Sequence, residues 1–218
     1  MPQIIGICGF IGAGKDTVAD YLVNIHGFRR ESFASSLKDA VSVVFGWNRE
    51  LLEGRSKQSR EWREQPDIWW SDKLGKTITP RYILQHWGTD VIRNGFHDDI
   101  WLVSLENRLR SAQDDVVVTD CRFPNEIAAI RDAGGVILQI QRGPLPEWYA
   151  CALKENTTDA DQQWILQDHN ELMHQKYPHI HASEYSWVGH EFDAVLDNSG
   201  SLEQLYEQVE QLLIKDRE

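Results

Sequence analysis

Apolar residues along this chain come in short runs separated by helical stripes. Gln3 to Gly9 is an apolar run that stops at glycine, the pattern of a strand covered on both faces. Beyond a glycine-rich turn, Val18, Leu22 and Ile25 recur at helical spacing, and Gly27 follows as a stop signal. Val116-Val117-Val118-Thr119 predicts a second strand of the same kind, leading into a helix opened by Pro124 and closed by Gly134-Gly135. Val136 to Ile140 reads as the next strand and Ala194 to Leu196 as the last. Ser201 and Gln204 then form a capping box for a helix whose Leu202, Leu205, Val209 and Leu212 share one face. Strands alternating with helices predict an α/β fold with a parallel, doubly wound sheet and helices on both faces, three layers in all.

Two stretches break the alternation. Trp47 to Thr79 is polar, rich in arginine and tryptophan and without a clean period, so it reads as an insertion carrying short helices. Gly143 to Glu191 is longer, holds five of the eight histidines and has a weak helical pattern around Trp164 to Met173. Both are placed like lids. At 218 residues the expectation is one domain, 1–218, with these two insertions.

Charge narrows the partners. Lys and Arg total 22 against 34 Asp and Glu, a formal net charge of -12, which gives no general electrostatic reason to stay on nucleic acid or an anionic membrane. An anionic ligand must be held by local groups. Cys8, Cys121 and Cys151 are too few and too scattered for a disulfide framework or zinc ribbon, which fits a reducing cytoplasm. No apolar run reaches membrane-spanning length and no secretion signal is visible, so a cytoplasmic protein is expected. His169, His174, His179, His181 and His190 lack the cysteine partners or HExxH spacing of a metal site. Most of the nine tryptophans are expected to pack cores.

The sharpest chemistry lies in Gly9-Phe10-Ile11-Gly12-Ala13-Gly14-Lys15, between a predicted strand and a predicted helix, the context of a Walker A loop. Small residues let successive N–H groups face phosphates, the helix start adds partial positive charge, and Lys15 reaches the β- and γ-oxygens. The hydroxyl residue that usually follows the lysine and binds Mg²⁺ is here Asp16, with Thr17 one place later. GTPases and motor ATPases therefore fit poorly. A carboxylate at Asp16 suits a small-molecule kinase, where it receives the acceptor proton or holds a metal-bound water; the competing reading is a simple complement to the helix dipole. Asp120 and Arg122 end the second strand at the sheet edge where α/β folds bind ligands. Asp120 is Walker B-like or an acceptor contact, Arg122 offers a fork for phosphate, and Glu126 follows one turn on. A plain Asp120–Arg122 salt bridge is the alternative, disfavoured by the strand-end position.

Taken together, GFIGAGKDT (Gly9 to Thr17), FASSLKD (Phe33 to Asp39), RYILQHWGTD (Arg81 to Asp90), the TDCRFPNE run (Thr119 to Glu126) and DNSGSLEQL resemble the deoxynucleoside-monophosphate kinases of tailed bacteriophages in type, order and spacing. The likeness spans nearly the whole chain. It implies a P-loop kinase fold with a monophosphate-binding insertion at 47–79 and a lid at 143–191. It also implies Mg²⁺-dependent transfer from ATP to a dNMP for dNTP supply, a homodimer and, for a phage-encoded chain, the host cytoplasm. Residue by residue, the resemblance places Gly12, Gly14, Lys15, Asp16 and Thr17 at the ATP phosphates, with Asp16 and Thr17 at the metal. Leu37 and Lys38 fall near the acceptor, and Arg60 grips its monophosphate, with Arg63 the substitute. Arg81, Gln85, Gly88, Thr89 and Trp101 surround base and sugar, and Asp120, Arg122 and Glu126 meet the acceptor. Arg142 is the lid arginine that neutralises the transferring group. Many relatives carry a basic pair where this chain has Ile11-Gly12, so another arginine must substitute. Two rivals stay open: the same fold with a different acceptor, as in dephospho-coenzyme A kinases, and a nucleotide-binding module without an acceptor.

Overall fold

The computed structural model describes residues 2–157 and 172–215. The chain forms two compact units, Met1–Ser32 with Arg108–Glu218, and Phe33–Asn107. The helical pattern expected around Trp164, with His169, falls outside the described residues, apart from its end at Met173. No described helix is long and apolar enough to cross a membrane.

The first unit is built on a parallel sheet in the order β2-β3-β1-β4-β5: β1 (Ile4–Cys8), β2 (Arg29–Glu31), β3 (Val116–Val118), β4 (Val136–Gln141) and β5 (Ala194–Asp197). Side chains alternate between the faces of the sheet. Ile5, Ile7, Val117, Leu138 and Ile140 point to one face, where Val18, Ala19 and Leu22 of α1 (Lys15–His26) and Leu205, Val209 and Leu213 of the C-terminal helix (Leu202–Lys215) bury them. The opposite face carries Ile137, against which Cys121 and Ile130 of the helix Pro124–Asp132 pack around Gly6. Helices on both faces make the sheet doubly wound.

Two predicted stripes shift by a turn. Ile25 is 64% exposed, so α1 buries Val18, Ala19 and Leu22 instead, and Leu202 is 51% exposed while Leu213 takes the inward place. A residue at the first or last turn of a helix overhangs the sheet, and periodicity alone does not see that edge. The capping box is present: Gln204 N donates to Ser201 Oγ, and Ser201 N donates to Gln204 Oε1.

In the second unit, α2 (Ser35–Phe45) is followed by three short helices, α3 (Arg49–Glu53), α4 (Lys57–Glu64) and α5 (Ile68–Leu74), then α6 (Pro80–Gln85). Asn48, Ser56, Asp67 and Thr79 cap the last four through their side chains. The helix of α6 continues as a π-helical stretch, His86–Arg93, before α7 (Ile100–Arg110). Leu37, Val41, Phe45, Trp47, Leu52, Ile78, Ile83 and Trp101 form the core, flanked by Trp62, Trp70 and Trp87. Their indole N–H groups are used: Trp47 donates to Asp67, Trp70 to the Phe45 carbonyl and Trp101 to the Gly88 carbonyl. Five- to eight-residue helices cannot show a period, which is why 47–79 reads as irregular.

Returning to the first unit, α8 (Pro124–Asp132) and β4 are followed by α9 (Tyr149–Thr157), α10 (Met173–Lys176), α11 (Ala182–Tyr185), β5 and α12 (Leu202–Lys215).

Candidate nucleotide-phosphate site

The loop Gly9 to Gly14 leaves β1 and turns directly into α1. Gly14 caps the helix at φ 104°, a left-handed conformation that glycine adopts without strain. A side chain there would also collide, because a Cβ would overlap Asn198 Nδ2. Buried Asn198 donates to the Ala13 carbonyl at 2.8 Å and so ties the loop to the end of β5. Gly12, at φ 78°, opens to free space. Backbone with room in front of it and a twelve-residue helix behind it fits the phosphate cradle expected from the sequence.

Lys15 Nζ folds back over this loop, donating to the carbonyls of Gly9 at 2.7 Å and Phe10 at 2.8 Å. Burial lowers its pKa and the Arg122 charge lowers it further, while Glu184 and Asp16 pull the other way. A partly desolvated ammonium whose hydrogen bonds among the described residues go to neutral carbonyls gains from a charged oxygen, since charge-assisted bonds are about twice as strong.

Asp16, in the first turn of α1, is engaged from β2. Arg30 Nη1 donates to Asp16 Oδ1 at 3.0 Å, and Nη2 donates to the Asp16 carbonyl at 3.2 Å and to Asp20 Oδ1 at 2.8 Å. Sequence reasoning missed Arg30 because β2 is three charged residues with no apolar run. Its only trace was the i, i+4 spacing of the two aspartates.

At the end of β3, the register Gly6↔Val118 brings Asp120 and Arg122 to the same sheet edge as the glycine loop. Glu126 is buried, and its Oε2 accepts from the backbone N–H of Arg122 at 2.8 Å and of Phe123 at 3.2 Å. It thereby shapes the turn that carries Arg122. The Arg122 guanidinium pairs with Glu184 of α11, at 2.9 Å from Nη1, with Ser183 Oγ at 3.4 Å. Cys121 lies between the two charged residues, and its hydrogen bond to Cys8 together with burial pushes the thiol well above its ordinary pKa. Arg142 follows β4 directly and is exposed. Thr17 is half-buried on α1.

In the second unit, Lys38 pairs with Glu53 at 2.8 Å. Burial pushes the Glu53 carboxyl up, but the charges of Lys38 and Arg49 outweigh it and hold the group at about 2. Leu37, Gly88 and Trp101 are buried together: a Cβ at Gly88 would lie 2.8 Å from Leu37 Cδ2, and Trp101 Nε1 donates to the Gly88 carbonyl. Arg81, Gln85 and Thr89 follow one another at four-residue intervals, Gln85 and Thr89 exposed. π-Helical stretches inside helices are frequent at functional sites.

Arg60 and Arg63 differ in a way that spacing does not reveal. Arg60 is exposed and donates to the Arg55 carbonyl. Arg63 is packed over Gly54, and its Nε is buried without a hydrogen-bond partner. Burial lowers its pKa, and the charges of Arg81 and Arg60 lower it further. Glu64 and Glu53 pull the other way, and Arg81 pairs with Glu64 at 2.8 Å, so the feature particular to Arg63 is its buried Nε without a hydrogen-bond partner.

A parallel sheet with the glycine loop and its lysine between β1 and α1 defines a P-loop phosphotransferase of the kinase class. The model of the family described as deoxynucleotide monophosphate kinase matches residues 53–147. A candidate deoxynucleotide monophosphate kinase of Acanthamoeba polyphaga mimivirus is 34% identical over 151 residues, 64% of this chain and 74% of that protein. The chain belongs to the deoxynucleotide monophosphate kinase family. The deoxynucleoside-5'-monophosphate kinase of Escherichia phage T5 is 29% identical over 182 residues, 61% of this chain and 73% of that protein. Among solved structures, a shikimate kinase from Aquifex aeolicus aligns over 99% of this chain and 98% of its own, at 11% identity and a TM-score of 0.43.

Proposed function

We propose that this chain transfers the γ-phosphoryl group of ATP, with Mg²⁺, to a deoxynucleoside monophosphate, as a step in dNTP supply. The observation that carries the proposal is the loop Gly9 to Lys15, with Lys15 resting on two neutral carbonyls in a chain of this family. In the first unit, Gly12, Gly14 and the start of α1 hold the donor phosphates, and Lys15 and Arg142 offset the charge of the transferring group. Asp16 positions the acceptor hydroxyl proton or a metal-bound water, and Asp120 and Arg122 meet nucleotide phosphate. The Thr17 hydroxyl and the Asp16 carboxylate are the oxygen donors suited to Mg²⁺, which when bound would neutralise phosphate charge. In the second unit, Arg81, Gln85 and Thr89 recognise base and sugar, while Leu37, Lys38, Gly88 and Trp101 frame that region. A homodimer belongs to the same reading and is read by sedimentation velocity.

For the acceptor monophosphate, Arg63, whose buried Nε has no hydrogen-bond partner, is favoured over Arg60. Arg63→Ala should raise the acceptor KM at least about tenfold, as expected for a lost hydrogen bond between charged groups, whereas Arg60→Ala should change it less than about threefold. Initial-rate kinetics at saturating ATP separate the two, and the reverse ranking would return the role to Arg60.

The whole reading is tested by ADP release against each dNMP and NMP, dephospho-coenzyme A and no acceptor. Release stimulated by dNMPs is the expected result. Stimulation by dephospho-coenzyme A alone would move the protein to another kinase class, and tight ATP binding without any acceptor stimulation would make it a binding module.

A further inference from the structure

We infer that Glu184 is a positioning residue for Arg122, holding one amino group of its guanidinium so that the remaining edge is presented to nucleotide phosphate. This rests on the reading that Arg122 meets phosphate. Three observations carry it.

The first is the division of the guanidinium. Glu184 Oε1 and Ser183 Oγ both take Nη1, at 2.9 Å and 3.4 Å. Among the described residues, Nε and Nη2 make no hydrogen bond. These two nitrogens form the side-on edge of the fork, the one that takes two oxygens of a phosphate in parallel. A carboxylate on that edge would block the site, whereas one on Nη1 leaves it open.

The second is what Arg122 lacks without Glu184. Glu126 fixes the backbone of the turn, but the side chain is 39% exposed. An arginine side chain has many rotamers to lose, so an untethered fork would meet phosphate only after being ordered.

The third is the rigidity of the element that supplies the tether. His181 Nδ1 accepts from Ser183 N at the start of α11, and Asn156 Nδ2 donates to the carbonyls of Tyr185 and Val188. Tyr185 and Trp187 are buried, and the Trp187 ring lies 4.8 Å from that of Phe10 in the glycine loop. Glu184 is therefore anchored to the same loop that holds the donor phosphates. Its negative charge would repel a phosphoryl group at close range, so it is not a contact for the reacting atoms; its charge also raises the Lys15 pKa, and an Arg122→Ala background separates that route from the one through Arg122.

The experiment is a double-mutant cycle read in acceptor kcat/KM, with the melting temperature followed for each variant. Glu184→Ala should lower kcat/KM about tenfold, within the range of coupling between contacting charged residues, with the melting temperature shifted by no more than a few degrees. Glu184→Gln, whose amide oxygen still accepts from Nη1, should recover most of that loss. In an Arg122→Ala background, Glu184→Ala should have no further effect. If Glu184→Ala does not fold, Glu184→Asp takes its place and should lose about threefold, since the carboxylate is withdrawn by one methylene. Normal kinetics in Glu184→Ala, or in Glu184→Asp where it takes its place, or the same loss with and without Arg122, would overturn the positioning role. Normal acceptor kinetics in Arg122→Ala alone would remove the phosphate-binding reading of Arg122 itself, and the positioning role with it.

Discussion

Lys15→Ala is expected to lower turnover at least about a hundredfold while the protein stays folded. The ammonium lies directly on the loop, where it rests on two neutral carbonyls. Its removal leaves those carbonyls to water, a small cost at the edge of a sheet. Its removal also deletes the charge that counters the phosphoryl group in the transition state, where such contacts are worth a few kcal/mol. Steady-state turnover and the melting temperature, measured together, check the result. Near-normal turnover in a folded variant would exclude the phosphate-loop assignment.

Asp16→Asn should leave ATP affinity almost unchanged and slow single-turnover transfer on the order of a hundredfold, the lower range for general acid–base catalysis. Binding survives because the backbone cradle and Lys15 remain. The Arg30 pair decides how the stability measurement is read. Asp16 is mostly exposed, so losing that ion pair costs little, and loss of its favourable place on the helix dipole costs a few tenths to about 1 kcal/mol. A variant that melts slightly lower yet transfers at full rate would reduce Asp16 to a helix-end charge. Slow transfer at an unchanged ATP dissociation constant supports the catalytic role.

The frame of the fold was legible because buried parallel strands announce themselves as apolar runs. Ile4–Cys8, Val116–Val118 and Val136–Gln141 lie where the pattern predicts them. β2 was not legible: Arg29, Arg30 and Glu31 make a short edge strand whose identity comes from pairing with β3. The glycine loop was visible from local sequence, since its chemistry is packed into nine consecutive residues. Its supports were not, because each arrives from a distance. Arg30 reaches Asp16 from another strand, and Asn198 fixes the Ala13 carbonyl from the far end of the chain. Glu126 illustrates a different limit. Its spacing from Arg122 was visible, but only its burial and its two backbone donors identify it as the residue that shapes the turn.

The hydrogen bond from Asn198 to Ala13 spans 185 positions of sequence. During synthesis, with domains forming as units behind the ribosome, β1, the loop and α1 emerge long before their last support. Until β5 joins the edge of the sheet, the Ala13 carbonyl lacks its tether, and Gly14 has no neighbour to constrain it. The loop therefore waits for a segment 185 residues further along the chain before its Ala13 carbonyl is held. On the proposed function, nucleotide binding would reach full strength only once β5 docks and Asn198 holds the Ala13 carbonyl.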